Sequence, residues 1–234
     1  MTVLARIICC IAAMVLLAAC GADSHKTTNT TTTTDTVARQ SPVAQKIVRA
    51  RNQLTDTLLA SIINYYHKNY ADDTIQMNTE RSDTLLELTF SNITKDTADY
   101  NGTLMMADIS LVTDINPIIT GDMNGDGIND MLVTVHTEGG GLGGNAWWDD
   151  HFLFLGQGGG YRLADVKSDG EIMDGSGHFF PVEIADQTIK GIGNGYADTD
   201  GYCCPSLYYS ISVRLKSGHM ATSKKLAIPK PADF

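Results

Sequence analysis

Residues 121–135 read G-D-M-N-G-D-G-I-N-D-M-L-V-T-V. Asp122, Asn124, Asp126 and Asp130 fall at positions 1, 3, 5 and 9 of a loop, and the backbone carbonyl of Ile128 falls at position 7. Hard cations such as Ca2+ take several oxygen ligands at once, and alternating Asp and Asn in a tight loop turns those oxygens inward. Gly125 and Gly127 permit the sharp backbone that such wrapping needs. An EF-hand would carry a bidentate Glu at position 12, where this chain has Val133, so the loop is of another kind. Residues 118–120 enter it and 131–135 leave it, and both runs read as strands. The chemistry points to calcium. The alternative is an Asp/Asn/Gly turn that binds nothing, since these residues make turns for their own reasons.

Outward from the loop, the chain divides by composition. All but two of its 22 glycines stand at or after Gly121. Short β-rich runs separated by turns follow, at 152–155, 161–163, 179–184, 189–192 and 207–215. Before the loop, 85–90 and 104–112 read as strands. Earlier still, Ile47, Ala50, Leu54, Leu58, Ile62 and Tyr66 recur at three- and four-residue spacing, which predicts one helix with a single apolar stripe over about 42–70. Ser41 suits its N-cap and Pro42 its first turn. The expected fold class is α+β: an N-terminal helix packed on a mostly antiparallel sheet, forming one domain over 41–234 with its β-rich part at about 83–228. A single copy of the D-x-N-x-D-G loop does not support a propeller, which needs repeats.

The N-terminus reads as a targeting segment over 1–19. Arg6 provides positive charge, and an apolar run too short to span a bilayer follows. Leu17-Ala18-Ala19-Cys20 matches the lipobox of bacterial lipoproteins. That resemblance implies cleavage before Cys20 and lipidation of Cys20, with Gly21 similar to outer-membrane sorting where the host is Gram-negative. More than one acyl chain makes such anchoring stable. Residues 20–40, nearly all Thr in their centre, read as a disordered tether, because they hold little to bury.

The net charge is −10. Removing residues 1–19 takes away Arg6 and no acid, leaving about −11. An acidic chain lacks the basic footprint that nucleic acid requires. Of five cysteines, Cys9 and Cys10 leave with the targeting segment and Cys20 is the lipidation candidate, so Cys203 and Cys204 remain. Being adjacent, they have three options in an oxidising compartment: a strained mutual disulfide, the reduced pair, or a bridge between molecules. No nearby His completes a zinc site.

Residues 139–150 form a glycine-rich stretch ending in Trp147-Trp148-Asp149-Asp150. It lacks the Gly-Lys-Ser/Thr of a phosphate loop. One reading is a long hairpin tip whose tryptophans pack back. The other is a ligand rim of Trp147 and Trp148, since aromatics beside a loop can stack on sugars or peptides. No catalytic residues are assigned: there is no G-x-S-x-G elbow and no H-E-x-x-H. His136, Glu138, His151, His178 and Glu183 read as scattered strand residues. Asp149 and Asp150, as strand neighbours, should point to opposite faces.

The D-x-N-x-D-G-x-x-D pattern between strands resembles the calcium loop of integrin-type (FG-GAP/VCBS) repeats. With the glycine-rich segment and the later Cys203-Cys204-Pro205-Ser206, residues 118–215 also resemble a group of small exported bacterial proteins of unassigned function. The resemblance implies a calcium loop and brings no activity. The expected function is a membrane-anchored, calcium-stabilised binding or structural module of the cell envelope, with an envelope protein or glycan as partner. The alternative is an envelope hydrolase with its site near residues 139–150.

Overall fold

The computed structural model describes residues 54–71, 75–82, 85–92, 103–110, 117–139, 147–175, 177–201 and 204–232. The targeting segment, Cys20, the Thr-rich stretch, the expected helix start near Ser41, residues 140–146 and Cys203 lie outside them.

The described chain opens with α1 (Asp56–Tyr70). Thr55, in extended conformation, caps it by accepting a hydrogen bond from Leu58 N at 3.4 Å. Asp56 in the first turn and His67 and Lys68 in the last suit the helix dipole. Of the helix expected over 42–70, the described part begins at Asp56, after the extended Thr55, and residues 42–53 lie outside the described residues. Strands β1 (Ile75–Arg81), β2 (Leu85–Asn92), β3 (Thr103–Ser110), β4 (Ile118–Gly121), β5 (Asp130–Glu138), β6 (Trp147–Gln157) and β7 (Gly160–Ser168) follow. A short helix, α2 (Asp169–Met173), precedes β8 (His178–Ala185), β9 (Thr188–Gly195), β10 (Leu207–Lys216) and β11 (His219–Ile228).

Among the described residues these strands form two antiparallel sheets. The first runs β1-β2-β3-β5-β6-β7, with β4 also paired to β5; the second runs β11-β10-β9-β8. β3 takes the C-terminal end of β5, pairing Met106 with Glu138, while β4 takes its N-terminal end, pairing Gly121 with Asp130. The α+β expectation is thereby corrected to a mostly-β fold. Among the described residues there are eleven strands and two helices, of 15 and 5 residues. The sequence reading merged all β-rich segments into one sheet, because periodicity shows that a strand exists and not which sheet it joins. It also passed over β1, whose polar Gln76, Asn78, Thr79 and Glu80 are exposed at the sheet's edge.

β5 and β6 are buried on both faces. Met131, Val133, Val135, Phe152 and Phe154 join Leu58, Ile62 and Tyr66 of α1 in one core. Tyr65 meets the Phe152 ring edge-on at 5.1 Å. Leu132 and Leu153, on the other face, join Ile172, Met173, Phe179, Ile189, Ile211 and Val213 in a second core under the second sheet. This two-sided burial explains why 131–135 and 152–155 are nearly continuous apolar runs instead of alternating ones. The sheets meet closely at β4 and β8: a Cβ on Gly121 would stand 2.5 Å from the Ile184 carbonyl oxygen, so the contact requires glycine.

Candidate functional site

The 122–130 loop joins β4 to β5 on a backbone that Gly125 and Gly127 carry through φ of +81° and +80°. Its side-chain oxygens face backbone N–H groups. Asp122 accepts from Gly125 N at 2.6 Å and from Gly127 N at 2.9 Å. Asn124 Oδ1 accepts from Asp126 N, and Asp126 Oδ1 accepts from Ile128 N. The Asn124 amide donates to Asp126 Oδ2 at 2.9 Å. These backbone donors, Gly127 first, hold the Asp122 carboxyl below the usual carboxylate range. Asp130 differs: it is fully buried, and its two oxygens accept from Met123 N at 2.7 Å and Gly156 N at 2.9 Å. It ties the start of the loop to the end of β6. Ile128 is exposed at the loop surface. Among the described residues, no group of three or more His, Cys, Asp or Glu side chains converges as a metal centre.

A second constellation lies between the two sheets, and sequence reasoning passed over it. Asp169, the first residue of α2, is 1% exposed and accepts four hydrogen bonds. On Oδ1 it receives His151 Nε2 at 3.0 Å and Phe179 N at 2.9 Å. On Oδ2 it receives His178 Nδ1 at 3.1 Å and Asp149 N at 3.0 Å. One carboxylate thus holds β6 of the first sheet and β8 of the second. Burial would push its carboxyl up, but the hydrogen bonds from His151 and His178 outweigh this and hold it below the usual range. Because a carboxylate only accepts, both rings must donate to it, which assigns their tautomers. Neutral His151 then accepts from Thr134 Oγ1 on Nδ1, at 3.1 Å. With Nδ1 directed at Asp169, Nε2 is the His178 nitrogen left for any other partner.

Around this centre stand Trp147, stacked on the His178 ring at 3.6 Å and 8°, and His136, 5.2 Å from the Trp147 ring. His136 Nδ1 contacts Asp149 Oδ1 at 2.8 Å, and its Nε2 lies 3.4 Å from Glu138 Oε1. The structure therefore brings together His136, Glu138, His151 and His178, which the sequence left scattered; Glu183 is elsewhere, against Lys190. No spacing motif links them. The only local signal was Thr134 within the apolar run 131–135 and His151 directly before the apolar run 152–155.

The two tryptophans part company. Trp147 and Trp148 begin β6 instead of sitting at a loop tip. Trp147 is 36% exposed on the histidine side. Trp148 packs on the α1 core and donates to Asp150 Oδ2 at 3.3 Å. Asp149 and Asp150 do point to opposite faces. Asp150 lies toward α1, where Tyr66 OH donates to Oδ2 at 2.7 Å. Burial raises its carboxyl, with the Tyr66 and Trp148 hydrogen bonds partly opposing. Burial also drives the Tyr66 hydroxyl well above its ordinary value.

Cys204 is disulfide-bonded, and it is the only cysteine among the described residues. The turn before β10 is pinned by Asp200, whose Oδ2 accepts from Ala197 N, Ser206 N and Ser206 Oγ. No described helix is long and apolar enough to cross a membrane. No protein-family model, curated protein or solved structure matches the chain.

Proposed function

We propose that this protein is an exported, lipid-anchored module of the cell envelope, stabilised by calcium at residues 122–130, which binds an envelope protein or glycan. The observation that carries the reading is the loop between β4 and β5. Side-chain oxygens of Asp122, Asn124 and Asp126 are held on the N–H groups of residues 125–128, over a backbone shaped by two left-handed glycines. Each of those oxygens keeps a second lone pair. An all-oxygen donor set of Asp122, Asn124, Asp126, the Ile128 carbonyl and Asp130 fits a hard divalent cation. Calcium there would offset the mutual repulsion of the carboxylates and fix the β4–β5 connection. Trp147, exposed on the rim, is the ligand-facing aromatic in this reading. The anchor rests on Leu17-Ala18-Ala19-Cys20.

Thermal unfolding and calorimetry in chelator, calcium and magnesium test the calcium site. For a dissociation constant of 10⁻⁴ to 10⁻³ M, millimolar calcium adds roughly 0.4 to 1.4 kcal/mol. Asp126→Ala abolishes the calcium dependence, Asp198→Ala keeps it, and magnesium substitutes poorly. Identical wild-type curves in all three media, with no heat of binding, would reduce the loop to a turn. Fatty-acid labelling of mature protein, lost in Cys20→Ser, tests the anchor.

A second reading, an envelope hydrolase with its site near residues 139–150, is favoured by one observation. Asp169 orients His178 as a base is oriented, with Trp147 stacked on its ring and His136 next to Trp147 in turn. It requires the purified chain to cleave ester, glycoside or peptide reporter substrates, and His178→Gln to lose that activity. A chain inert toward all three classes would end it.

A further inference from the structure

Charge is distributed unevenly along the chain. Residues 117–200 carry fourteen carboxylates against three cations, Arg162, Lys167 and Lys190. Residues 201–232 contain no Asp or Glu, yet hold Arg214, Lys216, Lys224, Lys225 and Lys230. All five fall on or just after the β10–β11 hairpin, whose second strand is an edge of the second sheet.

The strand register sorts these cations by face. Ser212 pairs with Lys190 on one side and Lys224 on the other, and cross-strand partners share a face. Arg214 and Lys216 follow Ser212 at two-residue steps, so they rise from the same face. Leu226, 48% exposed, pairs with Ser210 and belongs there too. The opposite face carries buried Ile211, Val213 and Met220. Lys225 serves that inner side: its Nζ donates to the Met173 carbonyl at 2.6 Å and lies 4.6 Å from the Tyr209 ring centre. Lys230 is 5.8 Å from the Tyr208 ring centre. Lys190 is paired with Glu183 and Asp186, and Asp165 holds His219 and Met220 N at the hairpin end. Arg214, Lys216 and Lys224 are exposed on the outer face, Arg214 with its Nε donating to Thr188 Oγ1 at 2.9 Å. Charge on an edge strand also discourages pairing with other chains. Either sign would do that, whereas this hairpin uses cations alone in a chain of net charge −10.

We propose that the outer face of the second sheet, with Arg214, Lys216, Lys224 and Leu226, docks on the anionic phospholipid head groups of the membrane that anchors the chain. The inference rests on the Cys20 anchor reading. Basic side chains are drawn to an anionic leaflet, and an exposed apolar residue among them gains contact at the interface. The carboxylate-rich remainder is repelled by the same surface, so the attraction also sets an orientation. The chain from Cys20 to Leu54, the first described residue, spans at most roughly 120 Å when extended, which leaves ample reach.

The test uses the processed chain, residues 20–234, with Cys20→Ala, so that no acyl chain contributes. It is sedimented with vesicles of phosphatidylcholine alone and of phosphatidylcholine containing phosphatidylglycerol. Binding is expected only to the second, and to fall with added salt. The triple change Arg214→Gln, Lys216→Gln, Lys224→Gln weakens it roughly 100-fold, since each cation near an anionic surface contributes about fivefold. Lys68→Gln, Arg81→Gln and Arg162→Gln together remove the same charge elsewhere and leave binding intact. Unfolding curves verify that both variants fold. Equal loss in the two triples, no binding to anionic vesicles, or equal capture by heparin beads and vesicles overturns the proposal. Because the acyl chains are absent, these outcomes are independent of the fatty-acid labelling that tests the anchor.

Discussion

Asp169→Asn is the change that most directly tests how the two sheets are joined. The native carboxylate is buried and accepts two ring N–H groups and two backbone N–H groups. The amide retains one oxygen and so keeps one ring and one backbone donor. Its NH2 faces the other pair. The ring there can change tautomer and accept, but the backbone N–H cannot. One buried N–H left without an acceptor costs roughly 1–3 kcal/mol, and the surviving bonds lose the assistance of the charge. The expected total is about 2–4 kcal/mol, a large share of the 5–15 kcal/mol typical of a domain. Urea unfolding followed by circular dichroism measures it, with an unchanged slope on denaturant showing that the transition is still the same one. The acid limb supplies a second readout. Asp169 has a depressed folded pKa, so its stabilisation is present above the unfolded value, near 4, and is lost as pH falls through the folded one. The Asn variant lacks that part of the acid sensitivity. A loss below about 0.5 kcal/mol, within ordinary surface variation, together with an unaltered acid limb, would refute the view that this carboxylate holds the sheets together.

Asp150→Asn should behave oppositely. Its folded pKa is raised by burial, so its contribution favours the fold at low pH and is lost as pH rises from about 4 through the folded value. The amide oxygen still accepts from Tyr66, and stability at pH 7 is expected to stay within about 1 kcal/mol or to increase; a clear loss there would contradict this. Gly121→Ala places a methyl against the Ile184 carbonyl and should cost roughly 1–3 kcal/mol in thermal unfolding, whereas Gly158→Ala, with open space around it, should cost far less. Mass analysis of alkylated, non-reduced mature protein should find Cys203 and Cys204 joined to each other; a covalent dimer, or a bridge from Cys204 to any other cysteine, would rule that pairing out.

Local order was legible in the residues themselves. The stripe of Leu58, Ile62 and Tyr66 gave a helix, and the runs at 85–90, 131–135, 152–155 and 207–215 gave strands, because side-chain period follows backbone geometry. The opposed faces of Asp149 and Asp150 followed from the same rule. Only the tertiary structure decided that the strands divide into two sheets, that β5 and β6 are covered on both sides, and that Asp169 reaches His151 and His178 from a different element. Periodicity assigns a residue to a face, but which partner meets that face depends on contacts between distant parts of the chain. A buried carboxylate among two histidines leaves no local pattern, since its partners come from separate strands and are brought together only when both cores close.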